Sequence, residues 1–528
     1  MQLPMLNAAF RVFFWGGALF LALSGCASKS QRANEAFARA QQYVADGQTA
    51  EAKRELYRAV GISDDVPEIW VALGQMQLAE GKMPDAFTAF NRADELRPGN
   101  ADILRPLAYT GYMIGATRIA QDATDRLLVL VPDDGQGLAV KGLLALDKGE
   151  TATTLEAAES ILRSSPNDDT GMLLKARAMA IGGKTEDAIK LLQDAAKQRG
   201  KDVTSFNYAL LQFYRARGDV AGMQAVFPAI VAGQKDNLEL ALDYANFLYR
   251  TGKTDEARKV WSDTVVASPK DGRFVAWAFE LYDNQERYDQ PVALDARLTK
   301  FGGSPLRTAA GQFLITRKEY ARAAALLSEG KGAADTDRGL YAVALEGMGK
   351  HAEAQALVKA ILGVTNARQD PNALMLNARW ALASKSFDRA NADAQNAIVA
   401  DPSNLAARIV LADSYALQDQ PLRVRQVWAQ AVAAMPRSRR ALSGYLQFLE
   451  SIGDKDSALA AMRSYANANL SDPWGWALLT NTCQKFNDAA CVIAARKRYD
   501  IAQRDFTFTN PSRPFKMRGL FSPLPAAT

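Results

Sequence analysis

The sequence predicts an all-α protein built as a long array of helical hairpins. The chain has 528 residues, of which 48% are hydrophobic and 23% charged, so it can bury a sizeable core. A glycine stands five residues before a small residue again and again along the chain. These small residues, and several prolines, advance in steps of 34 residues, and a fixed period of that length is typical of stacked hairpins.

The N-terminal residues are expected to be an export signal. In residues 1–25 the only charged side chain is Arg11, and an apolar run from Val12 to Leu23 follows it. That run is about a dozen residues long, short of the roughly 20 that span a bilayer as a helix. A short apolar core behind one positive charge predicts a secretory signal that is removed.

The residues that follow resemble a bacterial lipobox. In Leu23-Ser24-Gly25-Cys26 small residues precede a cysteine, and the resemblance implies that Cys26 is acylated after the peptide is cut before it. Several acyl chains would hold the protein on a membrane, because each buried methylene contributes about 0.8 kcal/mol. Ala27-Ser28 lacks the Asp that retains such lipoproteins, which implies the outer membrane, facing the periplasm, with residues 26–33 as a tether. An ordinary signal peptide with an incidental Cys26 is the alternative.

The other two cysteines, Cys483 and Cys491, lie eight residues apart. In an oxidising compartment such a pair predicts a disulfide across the short loop between two helices. The alternative is two small buried residues in a helix pair, because facing helices often hold their Cβ atoms outside bonding range.

One unit carries nearly all the features of a single helical hairpin. The small Gly74 on its first helix allows the second helix to approach closely, and Pro98 ends the unit because proline cannot continue a helix. The pattern resembles the tetratricopeptide repeat, W-x2-L-G…A-x3-F…P, with Gln77 where Tyr is usual. The resemblance implies a right-handed superhelical solenoid in which first helices line a concave groove. The matching residues are Trp70, Leu73, Gly74, Gly81, Ala86, Phe90, Ala93 and Pro98.

The same register predicts about 14 repeats, divided into an N-terminal array over residues 34–301 and a C-terminal array over residues 302–505. The division is placed at the break that begins with Gly302 and Gly303, although a single irregular repeat there would also fit. Residues 506–528 contain four prolines without helical periodicity and are expected to form a tail. The predicted turn glycines are Gly47, Gly81, Gly115, Gly149, Gly183, Gly252, Gly349 and Gly453.

Residues that bear chemistry are scarce, so no enzyme, metal site or cofactor is expected. A single histidine, His351, leaves no catalytic triad to assemble, and it is interpreted as packing against a turn. Gly183-Lys184-Thr185 resembles the end of a phosphate-binding loop. The same Gly-Lys pair recurs at the equivalent turns of other repeats, so it is interpreted as part of a turn. The acidic doublets Asp64-Asp65, Asp133-Asp134 and Asp168-Asp169 are expected to cap helices.

Binding is instead expected on the first helices of two neighbouring repeats. Asn, Tyr and Arg side chains there could hold an extended peptide through its backbone amides or a carboxylate. The alternative is an ordinary solvated face with buried stems. The six candidate groove residues are Tyr208, Gln212, Arg215, Asn246, Tyr249 and Arg250.

The predicted function is that of a non-catalytic scaffold on the cell envelope. The net charge of +5, or +4 without Arg11, gives no reason to expect nucleic acid. The chain resembles long tetratricopeptide lipoproteins of exopolysaccharide export, which implies an outer-membrane porin and periplasmic assembly factors as partners. Similarity to shorter pilus-assembly lipoproteins, with a secretin as partner, is the alternative. An envelope glycan hydrolase would require a carboxylate pair in the groove that departs from the repeat pattern.

Overall fold

The computed structural model describes residues 28–199, 204–285, 305–328, 335–364 and 370–506, and it confirms the all-α prediction. Throughout these ranges the chain forms α-helices of similar length joined by short connections. The predicted signal peptide, including Cys26, and almost all of the predicted tail lie outside the described residues.

The described helices follow one another in regular order along the chain. Consecutive helices pair as hairpins, and residues 286–304, which come directly after α15, lie outside the described part. In chain order the helices are α1 Lys29–Ala45, α2 Thr49–Ile62, α3 Pro67–Ala79, α4 Met83–Leu96, α5 Ala101–Ile114, α6 Thr117–Leu130, α7 Gly135–Lys148, α8 Thr151–Ser164, α9 Asp169–Ile181, α10 Thr185–Gln198, α11 Thr204–Arg217, α12 Val220–Gly233, α13 Leu238–Arg250, α14 Thr254–Ala267, α15 Gly272–Gln285, α16 Pro305–Thr316, α17 Tyr320–Ser328, α18 Asp335–Gly347, α19 His351–Leu362, α20 Pro371–Ala383, α21 Phe387–Ala400, α22 Leu405–Leu417, α23 Pro421–Ala434, α24 Arg439–Ser451, α25 Lys455–Ala468, α26 Pro473–Lys485 and α27 Ala489–Arg504.

The turns within the hairpins use left-handed backbone, as the glycine pattern predicts. All eight predicted turn glycines have φ between 72° and 82°, a region in which a side chain is strained and glycine is not. Other hairpins make the same turn without glycine, at φ values of 54° to 60°. A pattern of glycines does not reveal these turns. Their left-handed residues are Lys318, Lys385, Asp419 and Asn487.

The periodic small residues form the contacts between helices of a hairpin. Ala52, Ala86, Ala120 and Ala188 are fully buried. A Cβ placed on Gly74 would lie 2.9 Å from the ring of Phe90, so the predicted close approach of α3 and α4 is confirmed. The repeat period therefore records the positions where two helices touch.

The described residues form two compact units, which divide between Ala178 and Met179. The division predicted near residue 302 falls beside residues 286–304, which are outside the described part. In the second unit the helices on either side of that segment pack together, since the rings of Tyr282 and Phe313 have centroids 5.1 Å apart. The two-array division stays a prediction.

Most helix-capping predictions are confirmed and one is wrong. Asp134 accepts a hydrogen bond from the Gly137 N–H at 2.8 Å, and Asp168 accepts one from the Gly171 N–H at 2.8 Å. Asp65 does not cap α3, because the helix begins at Pro67 and its N-cap position is Val66.

Two other details differ from the expectation. Helix α1 begins at Lys29 with Ser28 as its cap, so residues 29–33 of the expected tether are helical. The His351 side chain does not pack against the turn as expected. It is 66% exposed, and its Nδ1 lies 3.0 Å from a carboxylate oxygen of Glu346. In the part of the chain that the structure describes, no helix has the length and apolar character to cross a membrane.

Candidate functional site

The six predicted groove residues lie on α11 and α13, the first helices of two successive hairpins in the second unit. The faces of α11 and α13 that carry them are called the groove below. These side chains are more buried than a solvated face would be: Gln212, Asn246 and Tyr249 are 3%, 4% and 9% exposed. Part of the cover comes from residues 502–506, where α27 ends, and these residues are called the C-terminal segment.

Arg250 makes the densest set of contacts with this segment. Its Nη1 donates to the Asp505 carbonyl at 2.6 Å and its Nη2 to the Ala502 carbonyl at 2.7 Å. Nη1 also lies 3.3 Å from the Ser471 carbonyl, and the guanidinium stands 4.7 Å from the centroid of the Phe506 ring. Burial lowers the pKa of Arg250 to about 10, and the negative charge of Asp505 opposes this shift.

Asn246 of α13 and Arg215 of α11 contact the same segment. The Asn246 side-chain amide donates to the Phe506 carbonyl at 2.7 Å, and Arg215 Nη1 lies 3.5 Å from a carboxylate oxygen of Asp505. The Phe506 ring meets the ring of Phe247 edge-on, with centroids 4.9 Å apart. Three of the six predicted residues therefore converge on one short stretch of chain.

The other three predicted residues occupy neighbouring positions on the same helices. Tyr249 packs edge-on against Tyr282, with ring centroids 6.2 Å apart. Burial, with a smaller contribution from Asp243, raises the pKa of Tyr208 to about 12. Gln212 is buried on α11 beside them.

Sequence reasoning missed a second contact region, formed by the connections around α24 and α26. Arg439 donates to the Asn284 carbonyl at 2.8 Å and to a carboxylate oxygen of Asp472 at 2.8 Å. Its guanidinium also stands 4.9 Å from the centroid of the Trp474 ring. Arg439 and Asn284 are 155 residues apart, and a repeat pattern reports only contacts within a hairpin and between neighbours.

This second region contains two carboxylates, Glu280 and Asp472, that bear on the glycan hydrolase alternative. Burial raises the pKa of Glu280 to about 7, with Arg437 opposing the shift and Asp472 adding to it. Asp472, however, already accepts hydrogen bonds from Arg439, from the Tyr465 hydroxyl at 2.9 Å and from the backbone N–H of Trp474 at 3.0 Å. Those contacts fit a helix cap better than a catalytic base.

Cys483 and Cys491 join α26 to α27. Their sulfur atoms lie 1.98 Å apart and their Cα atoms 5.8 Å apart. Across the described ranges, no group of three or more His, Cys, Asp or Glu side chains is placed to hold a metal ion. Cys26 lies outside these ranges, so its lipidation stays a prediction.

Comparison with known proteins identifies the repeats. A family model described as tetratricopeptide repeat matches residues 37–101 and 139–203. No curated protein matches the chain. The repeats in these two stretches are therefore tetratricopeptide repeats, which commonly serve as scaffolds for protein–protein contacts.

Several solved structures resemble parts of the chain at low identity. The chain is 22% identical to a thermophilic tetratricopeptide protein of Thermus thermophilus, covering 35% of this chain and 99% of that one, with a TM-score of 0.32. For the MamA protein the identity is 19%, the match covers 32% of this chain and 92% of that one, and the TM-score is 0.30. For PilW, a type IV pilus biogenesis factor, the identity is 14%, the coverage 38% and 93%, and the TM-score 0.33. Likenesses this weak carry no argument about function.

Proposed function

We propose that the protein is a lipid-anchored, non-catalytic scaffold that binds other proteins during assembly of the bacterial envelope. Its most direct role would be in exopolysaccharide synthesis or export, at the periplasmic face of the outer membrane. The tetratricopeptide repeats matched at residues 37–101 and 139–203 support the scaffold role. The lipobox-like residues before Cys26 support the anchor.

The observation that carries the scaffold role is how the groove holds polypeptide. Arg250 and Asn246 donate to three main-chain carbonyls of residues 502–506 at distances of 2.6 to 2.7 Å. Side chains that project from neighbouring first helices and bind main-chain carbonyls are suited to recognising a polypeptide.

The envelope part of the proposal is supported by the chemistry of the cysteines. Cys26 stands where an acyl acceptor would be after export. Cys483 and Cys491 lie at bonding distance, and disulfides persist in oxidising compartments such as the periplasm. One acyl anchor at the start of a long array would leave the repeats free to contact partners away from the membrane surface.

The test is a crosslinked pull-down from intact envelopes with the full chain, followed by mass spectrometry. Recovery of a polysaccharide-export porin with its periplasmic assembly factors supports the proposal. A secretin would instead favour the alternative role in pilus assembly. A Cys26→Ser variant is the matched control, because it keeps every repeat and removes the anchor. This variant should no longer be found in the outer-membrane fraction, and the porin should no longer be recovered with it.

Assays on purified peptidoglycan and exopolysaccharide test the opposite class of function. The scaffold account predicts no turnover. Turnover that a Glu280→Gln substitution abolishes would establish a hydrolase instead.

A further inference from the structure

We infer that the groove on α11 and α13 is an exchangeable peptide site whose resident ligand is the chain's own C-terminal segment. The incoming ligand would be a segment of a partner protein in which an Asp-Phe pair follows the last turn of a helix, as it does in the resident segment. This inference rests on the proposed scaffold function and specifies which surface binds and what it recognises.

The first step in the argument is that main-chain contacts dominate the recognition. The groove side chains bind the carbonyls of Ala502, Asp505 and Phe506. Every polypeptide offers carbonyls with this spacing in the same conformation. A segment from another protein can therefore satisfy Arg250 and Asn246 as well as the resident one does.

The second step is that two side-chain positions add sequence preference. The Asp505 carboxylate accepts a hydrogen bond from the Ser471 hydroxyl at 2.6 Å and lies 3.5 Å from Arg215. The Phe506 ring, 5% exposed, lies between the Arg250 guanidinium and the Phe247 ring. An acidic residue followed by an aromatic one is therefore the pair that fits, because the site supplies positive charge and then an apolar, cation–π surface.

The third step is that the resident segment can leave without unfolding the repeats. Residues 502–504 form the last turn of α27 and residues 505–506 follow that turn, so release requires only the last turn of this helix to unwind. Ala502 belongs to the core that α27 shares with α26 and α25, but Leu479, Cys483, Ala495 and Met462 remain in that core when the last turn unwinds. An empty groove would leave Arg250 partly buried without these carbonyl partners, which is costly. Exchange of one segment for another is therefore favoured over simple release.

The test uses the chain from Ala27 onward and a fluorescent peptide with the sequence of residues 500–509. An Asp505→Ala/Phe506→Ala variant weakens the resident ligand without changing the groove. A tethered ligand acts at an effective concentration on the order of millimolar, so the parent chain should bind the peptide weakly. Fluorescence anisotropy should show binding at least about tenfold tighter by the variant. Should the double variant lose helicity, Phe506→Ala alone replaces it.

Two controls define specificity. Adding Arg250→Ala to the Asp505→Ala/Phe506→Ala variant should abolish peptide binding. Adding Arg498→Ala, at an exposed arginine of α27, should leave peptide binding unchanged. A peptide with Ala-Ala in place of its Asp-Phe pair should bind at least about tenfold more weakly. The inference is overturned if the folded Asp505→Ala/Phe506→Ala variant binds neither the Asp-Phe peptide nor the Ala-Ala peptide, or binds both equally. That result would leave the pull-down untouched, because partners recovered from envelopes could bind elsewhere on the repeats.

Discussion

Replacement of Arg250 by alanine should release the C-terminal segment from the groove while the repeats stay folded. The change removes two short hydrogen bonds to the carbonyls of Asp505 and Ala502 and the contact with the Phe506 ring. A hydrogen bond that involves a charged group contributes about 1.5–3 kcal/mol. Because Arg250 is only partly buried, water recovers part of that free energy, and we expect a loss of about 3 kcal/mol.

Hydrogen–deuterium exchange measures this loss locally. A decrease of about 3 kcal/mol in the free energy of opening should speed amide exchange at residues 502–506 by about a hundredfold. Exchange in helices outside the contact should stay as in the parent chain. Exchange at residues 502–506 in Arg250→Lys should be faster than in the parent chain and slower than in Arg250→Ala, because an ammonium group cannot reproduce the planar fork of the guanidinium. Arg498→Ala is the matched control. Unchanged exchange at residues 502–506 in the Arg250→Ala variant would refute the reasoning.

Changes to the turns, to the disulfide and to the buried carboxyl group have further expected outcomes. Lys385→Gly should stabilise the protein by about 1 kcal/mol because it relieves a left-handed residue at φ 57°, and Gly349→Ala should destabilise it by a similar amount; thermal melts compare the two. Replacing Cys483 and Cys491 by serine should cost about 2 kcal/mol through the short loop they close, and a peptide map without reductant should find the intact bridge in the parent chain and not in the variant. Burial raises the pKa of Glu280 to about 7, so the folded chain retains a proton that the unfolded chain loses near pH 4. Its contribution to stability is complete below that pH and is lost as the pH rises through 7. Melting temperatures at pH 5.5 and 8 should therefore differ less in Glu280→Gln than in the parent.

Much of the local fold could be predicted because each hairpin repeats the same steric requirement. A left-handed turn favours glycine, and a close helix contact requires a small side chain, so both leave a trace every 34 residues. Where a turn uses Lys385 or Asp419 instead, that trace is absent. The predicted cap at Asp65 also failed for a local reason. Helix α3 begins at Pro67, so its N-cap position is Val66 and Asp65 lies one residue before it.

The candidate site was predictable only in part. Arg215, Asn246 and Arg250 could be selected because first-helix positions with Asn and Arg suit binding to a polypeptide. Their occupant could not be predicted, because Asn246 and Phe506 are 260 residues apart, and contacts so distant depend on how each hairpin is rotated on the next. No periodic pattern in one sequence encodes the sum of those small rotations.

The groove contact itself can be measured directly with a photoreactive benzoylphenylalanine in place of Phe506 in the full chain. The ring of Phe506 lies 4.9 Å from that of Phe247 on α13. Irradiation of the dilute protein should therefore produce an intramolecular crosslink to a peptide that contains residues 238–250. Crosslinks that fall elsewhere in the chain, or only between two copies, would contradict the account.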